Sequence, residues 1–107
     1  MKTLFAFVPE IHPQGVEREK PYREFLRVPS MSAGVYILSP GTIDAQQPHH
    51  EDEVYYVIRG RAHFTVGVED HEVSAGSVIF VAAEVGHRFH DIIEELAVLV
   101  LFAPAET

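Results

Sequence analysis

The stretch from Gln46 to Gly60, QQPHHEDEVYYVIRG, places two adjacent histidines before three acids and an apolar run that ends in glycine. The run VYYVI (54–58) has the β-branched and aromatic composition of a strand. Side chains alternate along a strand, so Tyr55 and Val57 share a face with Glu53, while Val54, Tyr56 and Ile58 take the other. Both faces are apolar. This predicts a central strand with one face lining an interior and the other packed on a second sheet or a subunit. The upstream imidazoles and carboxylates are either metal ligands or a solvated turn. Strand neighbours point to opposite faces, so one ion takes His49 or His50, not both.

Outward from this stretch the chain is a series of short strand-like runs punctuated by turn signals. These are YREFLRV (22–28), SAGVYIL (32–38), VYYVI (54–58), AHFTV (62–66), HEV (71–73), SVIFV (77–81), HRFHD (87–91) and LAVLVLF (96–102). The pattern predicts an all-β sandwich or barrel. Tight hairpin connections are expected at Arg59-Gly60 and at Glu69-Asp70. IIEEL (92–96) is expected to be a loop, with a single helical turn as the alternative. PEIHPQGVEREK (9–20) is polar and carries prolines, so it is assigned to a surface arm.

The 107 residues suit one domain over 1–107, with residues 1–30 forming an N-terminal arm and first strand. The longest apolar runs, LFAFV (4–8) and LAVLVLFA (96–103), fall far short of the roughly 20 residues of a membrane helix, so no membrane partner is expected. MKTLFAFVPEIHP is a poor signal peptide. The sequence has no cysteine, hence no disulfide or thiolate site, and a cytoplasmic location is the default. Net charge is −8, and the basic residues Arg18, Lys20, Arg23 and Arg27 are interleaved with Glu17, Glu19 and Glu24. Nucleic-acid binding needs clustered cations and is not expected.

His12 falls in the polar arm and His71 in a turn, and both are assigned to solvent. His63 opposes the apolar set Ala62, Phe64 and Val66, so it belongs on the outer surface or an interface. His49, Glu53 and His87 differ as a set. Two imidazoles and a carboxylate suit a divalent transition ion, and with open positions they form a known platform for Fe(II), with related sites for Mn, Zn, Ni or Co. Residues four apart on a straight strand are separated by about 13 Å. The chain must therefore bend between 49 and 53. His49 would end one strand, 50–52 would turn, and Glu53 would open the next. The alternative is a polar pocket whose members hydrogen-bond among themselves.

Two motifs in this chain resemble those of the cupin superfamily. The first cupin motif is a glycine, five residues, His-x-His, three or four residues, Glu, six residues, Gly. Gly41, His49, Glu53 and Gly60 fall into that register, with Gln47 where the first histidine belongs. The second is a glycine, five residues, Pro-x-Gly, two residues, His, three residues, Asn. Gly76 and His87 match it, while Ala82, Glu84 and Asp91 replace the proline, the glycine and the asparagine. The resemblance covers about 41–91. It implies a jelly-roll barrel, the double-stranded β-helix, with His49, Glu53 and His87 as ligands of one divalent transition metal ion and Gln47 as a fourth through its amide oxygen. It also implies homodimerisation by strand exchange or sheet packing, a role for which the apolar LFAF (4–7) and the two-faced central strand are suited.

Tyr55 and Phe89 share parity with the ligands and are candidates for substrate binding, with core packing as the alternative. Glu84 is assigned to a solvated turn, and Gly86 is expected to supply a positive φ or a close approach in place of the glycine lost at 84. The function expected from the resemblance is a metal-dependent enzyme of dioxygenase, isomerase or lyase type. Its substrate would be a small organic acid, a phenolic or a sugar-like molecule held in the barrel. A non-catalytic small-molecule sensor or carrier is the second reading, and a purely structural component the third.

Overall fold

A computed structural model describes residues 3–10, 22–44 and 48–107. A short 3-10 helix, Val8–Glu10, precedes six strands: β1 (Tyr22–Val28), β2 (Met31–Leu38), β3 (Asp52–Val66), β4 (Glu69–Ser74), β5 (Val78–Val81) and β6 (His87–Ala103). All pairings are antiparallel, in the order β1-β2-β6-β3-β4, with β5 on the first part of β3. This is the all-β architecture expected. Among the described residues no helix is long and apolar enough to cross a membrane.

Two long strands organise the fold, and each changes parity midway. In β3 the buried residues are Glu53, Tyr55 and Val57, then Ala62 and Phe64. The switch falls at Gly60, where φ is +95° and the register against β6 slips. A bulge adds a residue to one strand and turns it, and here it carries β3 from pairing with β5 to pairing with β4. A Cβ at Gly60 would strike the Glu95 carbonyl oxygen and lie 2.8 Å from Leu96 Cα. Arg59-Gly60 is therefore not a hairpin. The hairpin turn is Gly67-Val68, and Glu69 and Asp70 already belong to β4. Glycine at positive φ serves turns and bulges alike, which is why the sequence pattern misplaced the connection.

In β6 the switch is at Asp91, whose φ is +48°: His87 and Phe89 are buried before it, Ile92, Leu96, Val98, Val100 and Phe102 after it. Residues 92–96 are strand, not loop or helical turn. Ile93, Glu94 and Glu95 are all exposed, so the alternation that marks a strand is broken there.

Tyr55, Phe64 and Phe89 form the centre of the core, with ring centroids 4.6–5.5 Å apart in edge-to-face contact. Asp44, itself buried, ties the loop after β2 to this core. Its two oxygens accept the Tyr36 hydroxyl at 2.6 Å and the Phe89 backbone N–H at 2.9 Å.

Candidate metal centre

The acids after the doublet divide their work. Asp52 opens β3 and accepts the Ala83 N–H at 2.8 Å. Glu51, buried, accepts the Thr107 hydroxyl at 3.0 Å. Glu53, only 1% exposed, points inward with Tyr55. The expected bend is present at residues 50 and 51. It differs from expectation at its edges, since Asp52 is strand and His49 ends none. His50 leaves the site: it is exposed, and its Nδ1 lies 2.6 Å from Glu84 Oε1. The ion pair raises the His50 pKa, through the hydrogen bond that the ring donates to Glu84 and the charge of that carboxylate.

Glu84 itself holds the positive φ, +70°, at the position where the second motif has glycine. Gly86 holds none, and a Cβ there would meet open space, so the compensation expected of Gly86 does not occur. The Glu84 N–H donates to the His49 carbonyl at 2.7 Å, which fixes the bend against the turn before His87.

His49, Glu53 and His87 converge, each offering one ligand atom within 4.8 Å of the others. His87 Nε2 is 3.1 Å from Glu53 Oε1, and His49 Nε2 is 3.8 Å from the same oxygen. Two ligands at ordinary metal distances and tetrahedral-to-octahedral angles lie about 3.0–3.4 Å apart. The first pair already fits, and the second closes with a shift of about 0.5 Å. Glu53 Oε2 is buried with no hydrogen-bond partner, a costly state for a carboxylate that coordination through both of its oxygens would relieve. Two imidazoles and a carboxylate are the donor set of a divalent transition ion, so the residues fit the group.

The tautomers agree with this. The His87 Nδ1–H donates to the Val85 carbonyl at 2.9 Å, leaving Nε2 free to accept. It faces both Glu53 and the Tyr55 hydroxyl, the latter at 3.0 Å. Burial pushes the His87 pKa down, but the hydrogen bonds that the protonated ring donates to Glu53 and to the Val85 carbonyl, with the charges of Glu53 and Asp44, outweigh it, and the net shift is upward.

A cavity of about 160 Å³ opens beside His49, walled by Tyr22, Tyr36, Tyr55 and Phe102 among others. Phe89 does not line it. It has no exposed surface and sits in the core layer behind Tyr55. Gln47 lies outside the described residues, as does His12; His71 is exposed, and His63 is on the outer side as its parity required. Two cavity residues carried no signal in the sequence. Tyr22, from β1, brings a buried hydroxyl without a partner to the cavity, and burial first, then the charge of Glu106, raises its pKa. Glu106, beyond the last strand, lies with Oε2 3.3 Å from His49 Nδ1.

The family model for the cupin domain matches residues 34–103. The chain is a cupin. The Streptomyces coelicolor "Uncharacterized protein SCO3923" is 48% identical over 98 residues, covering 92% of this cupin and 93% of that protein. Among solved structures, KdgF from Halomonas sp. superposes with a TM-score of 0.79 at 20% identity, over 96% of this cupin and 94% of that chain. The cupin domain of Schizosaccharomyces pombe Cnp3 gives 0.81 at 15% identity, over 96% of this cupin and 70% of that chain. At such identities these two report the jelly-roll fold alone.

Proposed function

We propose that this cupin holds one divalent transition metal through His49 Nε2, Glu53 and His87 Nε2, and acts as an enzyme on a small molecule in the adjoining cavity. The observation that carries the reading is the buried Glu53 carboxylate, with one oxygen unpartnered and two imidazole nitrogens turned towards the other. A bound ion would supply Lewis acidity for isomerase or lyase chemistry, or, as iron or manganese, open positions for dioxygen.

The chain's own groups narrow the substrate. The cavity wall brings one carboxylate, Glu106, and no lysine or arginine among the described lining residues, and the buried Glu53 carboxylate lies behind His49. Two carboxylates offset the charge of a divalent ion, so a third, on the substrate, gains nothing. Tyr22 offers a hydroxyl that needs a partner. An uncharged phenolic or sugar-like molecule suits this wall better than an organic acid. About 160 Å³ is small beside the roughly 300–1,000 Å³ of drug-sized pockets.

The second reading is a metal-free binding module. It is favoured by one contact, the Tyr55 hydroxyl on the nitrogen of His87 that would coordinate. Metal analysis of protein purified without chelator separates the two. The wild type should carry near-stoichiometric metal that His49→Ala, Glu53→Gln and His87→Ala lose. Equal traces in all four proteins would sink the metal reading, and ligands that raise the melting temperature in chelator without being consumed would support the binding module.

A further inference from the structure

Both site histidines turn Nε2 towards Glu53, and both therefore present Nδ1 to something else. For His87 the acceptor is the Val85 carbonyl, two residues upstream. For His49, Nδ1 faces Glu106 Oε2, an ion-pair contact of 3.3 Å, on a segment that follows the last strand. His49 lies just before the bend that leads into β3 and lacks the strand ladder that fixes His87 and Glu53. Its ring has Phe102 against one side, in edge-to-face contact at 5.1 Å. The segment that carries Glu106 is itself held at three consecutive residues. The Ala105 N–H donates to the Pro29 carbonyl at 3.4 Å, the Glu106 N–H to the hydroxyl of the fully buried Ser32 at 2.9 Å, and the Thr107 hydroxyl to Glu51 at 3.0 Å. Pairing of Glu51 places the anchor two residues from His49. Glu106 is only 25% exposed and lines the cavity.

We propose that Glu106 is the positioning residue of His49: its carboxylate accepts the Nδ1–H, selects the tautomer with a free Nε2, and aims that nitrogen at the ion. The inference rests on the metal reading of the site. A carboxylate behind a ligating imidazole fixes the ring and raises its basicity, and loss of such a partner costs roughly 10–100-fold in metal affinity. It strengthens a ligand set in which Gln47 stands where a further imidazole belongs. A carboxylate reaching the site from beyond the last strand, rather than from a neighbouring strand, also makes residues 104–107 part of the metal centre.

The test uses zinc as the probe, on full-length protein stripped of metal. Zinc affinity is measured by chelator competition for the wild type, Glu106→Ala, Glu106→Gln and His49→Ala, and the imidazole tautomers of the metal-free proteins are assigned by nitrogen-15 NMR. The expected result is a loss of roughly 10–100-fold in Glu106→Ala, with His49 shifting from the Nδ1–H form towards Nε2–H. Glu106→Gln keeps an acceptor oxygen in the same place, so it should keep the tautomer and most of the affinity. A purely structural effect of the segment would lower melting temperature without moving the tautomer. Wild-type affinity in Glu106→Ala, or an Nε2–H His49 in the wild type, overturns the assignment of Glu106. Failure of the wild type itself to bind zinc, with His49→Ala no different, overturns the metal reading beneath it.

Discussion

Alanine at Gly60 and at Gly76 should destabilise the protein by different amounts, although the two glycines have almost the same backbone angle. Their φ values are +95° and +97°. Either substitution puts an L-residue in a region that costs about 1–3 kcal/mol. Either also stiffens the unfolded chain, which returns about 0.4–1 kcal/mol. The surroundings differ. At Gly76 a Cβ meets nothing within 4 Å. At Gly60 it meets the backbone of β6, with Leu96 Cα at 2.8 Å and Glu95 C at 2.9 Å, and backbone cannot swing aside as a side chain can. Forcing such an overlap costs about 1–3 kcal/mol more. Gly60→Ala should therefore lose about 3 kcal/mol and Gly76→Ala about 1 kcal/mol. With an unfolding entropy of about 0.2 kcal/mol/K for a chain of this size, the first falls by about 10–15 °C and the second by about 5 °C. Urea titration in chelator, followed by circular dichroism, measures both. Equal losses, within about 0.5 kcal/mol, would mean that the close approach of β3 to β6 is not what reserves position 60 for glycine.

Three further outcomes are expected. The fold raises the pKa of His87, so its contribution to the stability of metal-free protein is complete below the ordinary value of about 6.5 and is lost as pH rises through the raised value. The difference in melting temperature between wild type and His87→Gln, followed in chelator from pH 6 to about 9, should thus shrink with pH, and a difference that grows would reverse the sign of the argument. His50→Ala should leave metal content unchanged, because His50 faces Glu84 at the surface; elemental analysis showing lost metal would return His50 to the ligand set. The outer face carries exposed Tyr56, Val78 and Phe80 beside an apolar groove lined by Val35, Ile37, Ile58 and Leu99, and we propose that a second copy covers it. Sedimentation velocity should show a dimer at micromolar concentration, and monomer alone would refute this.

What could be foreseen in the sequence was local. Alternation put Glu53 with Tyr55 and His87 with Phe89, because parity over a few residues needs no knowledge of the fold. Spacing demanded a bend between His49 and Glu53, and a bend is there. Parity failed to carry across Gly60 and Asp91, where a bulge resets it and a turn would look the same in sequence. Three successive exposed residues after Ile92 then hid the middle of β6. Glu106 left no trace at all. Its contact with His49 joins residues far apart in the chain, and it follows the last strand, where neither alternation nor motif reaches.

The replacement of glycine by Glu84 has a hereditary consequence. The turn needs a left-handed residue, and Glu84 meets that need while its carboxylate holds His50 and its N–H holds the His49 carbonyl. The backbone bond is open to any residue at 84 that has an N–H and tolerates a left-handed φ, but the side-chain bond requires the pair. Relatives with glycine at 84 are thereby freed to lose the histidine at 50, whereas those with glutamate have a reason to keep it. Positions 50 and 84 should therefore vary together among relatives.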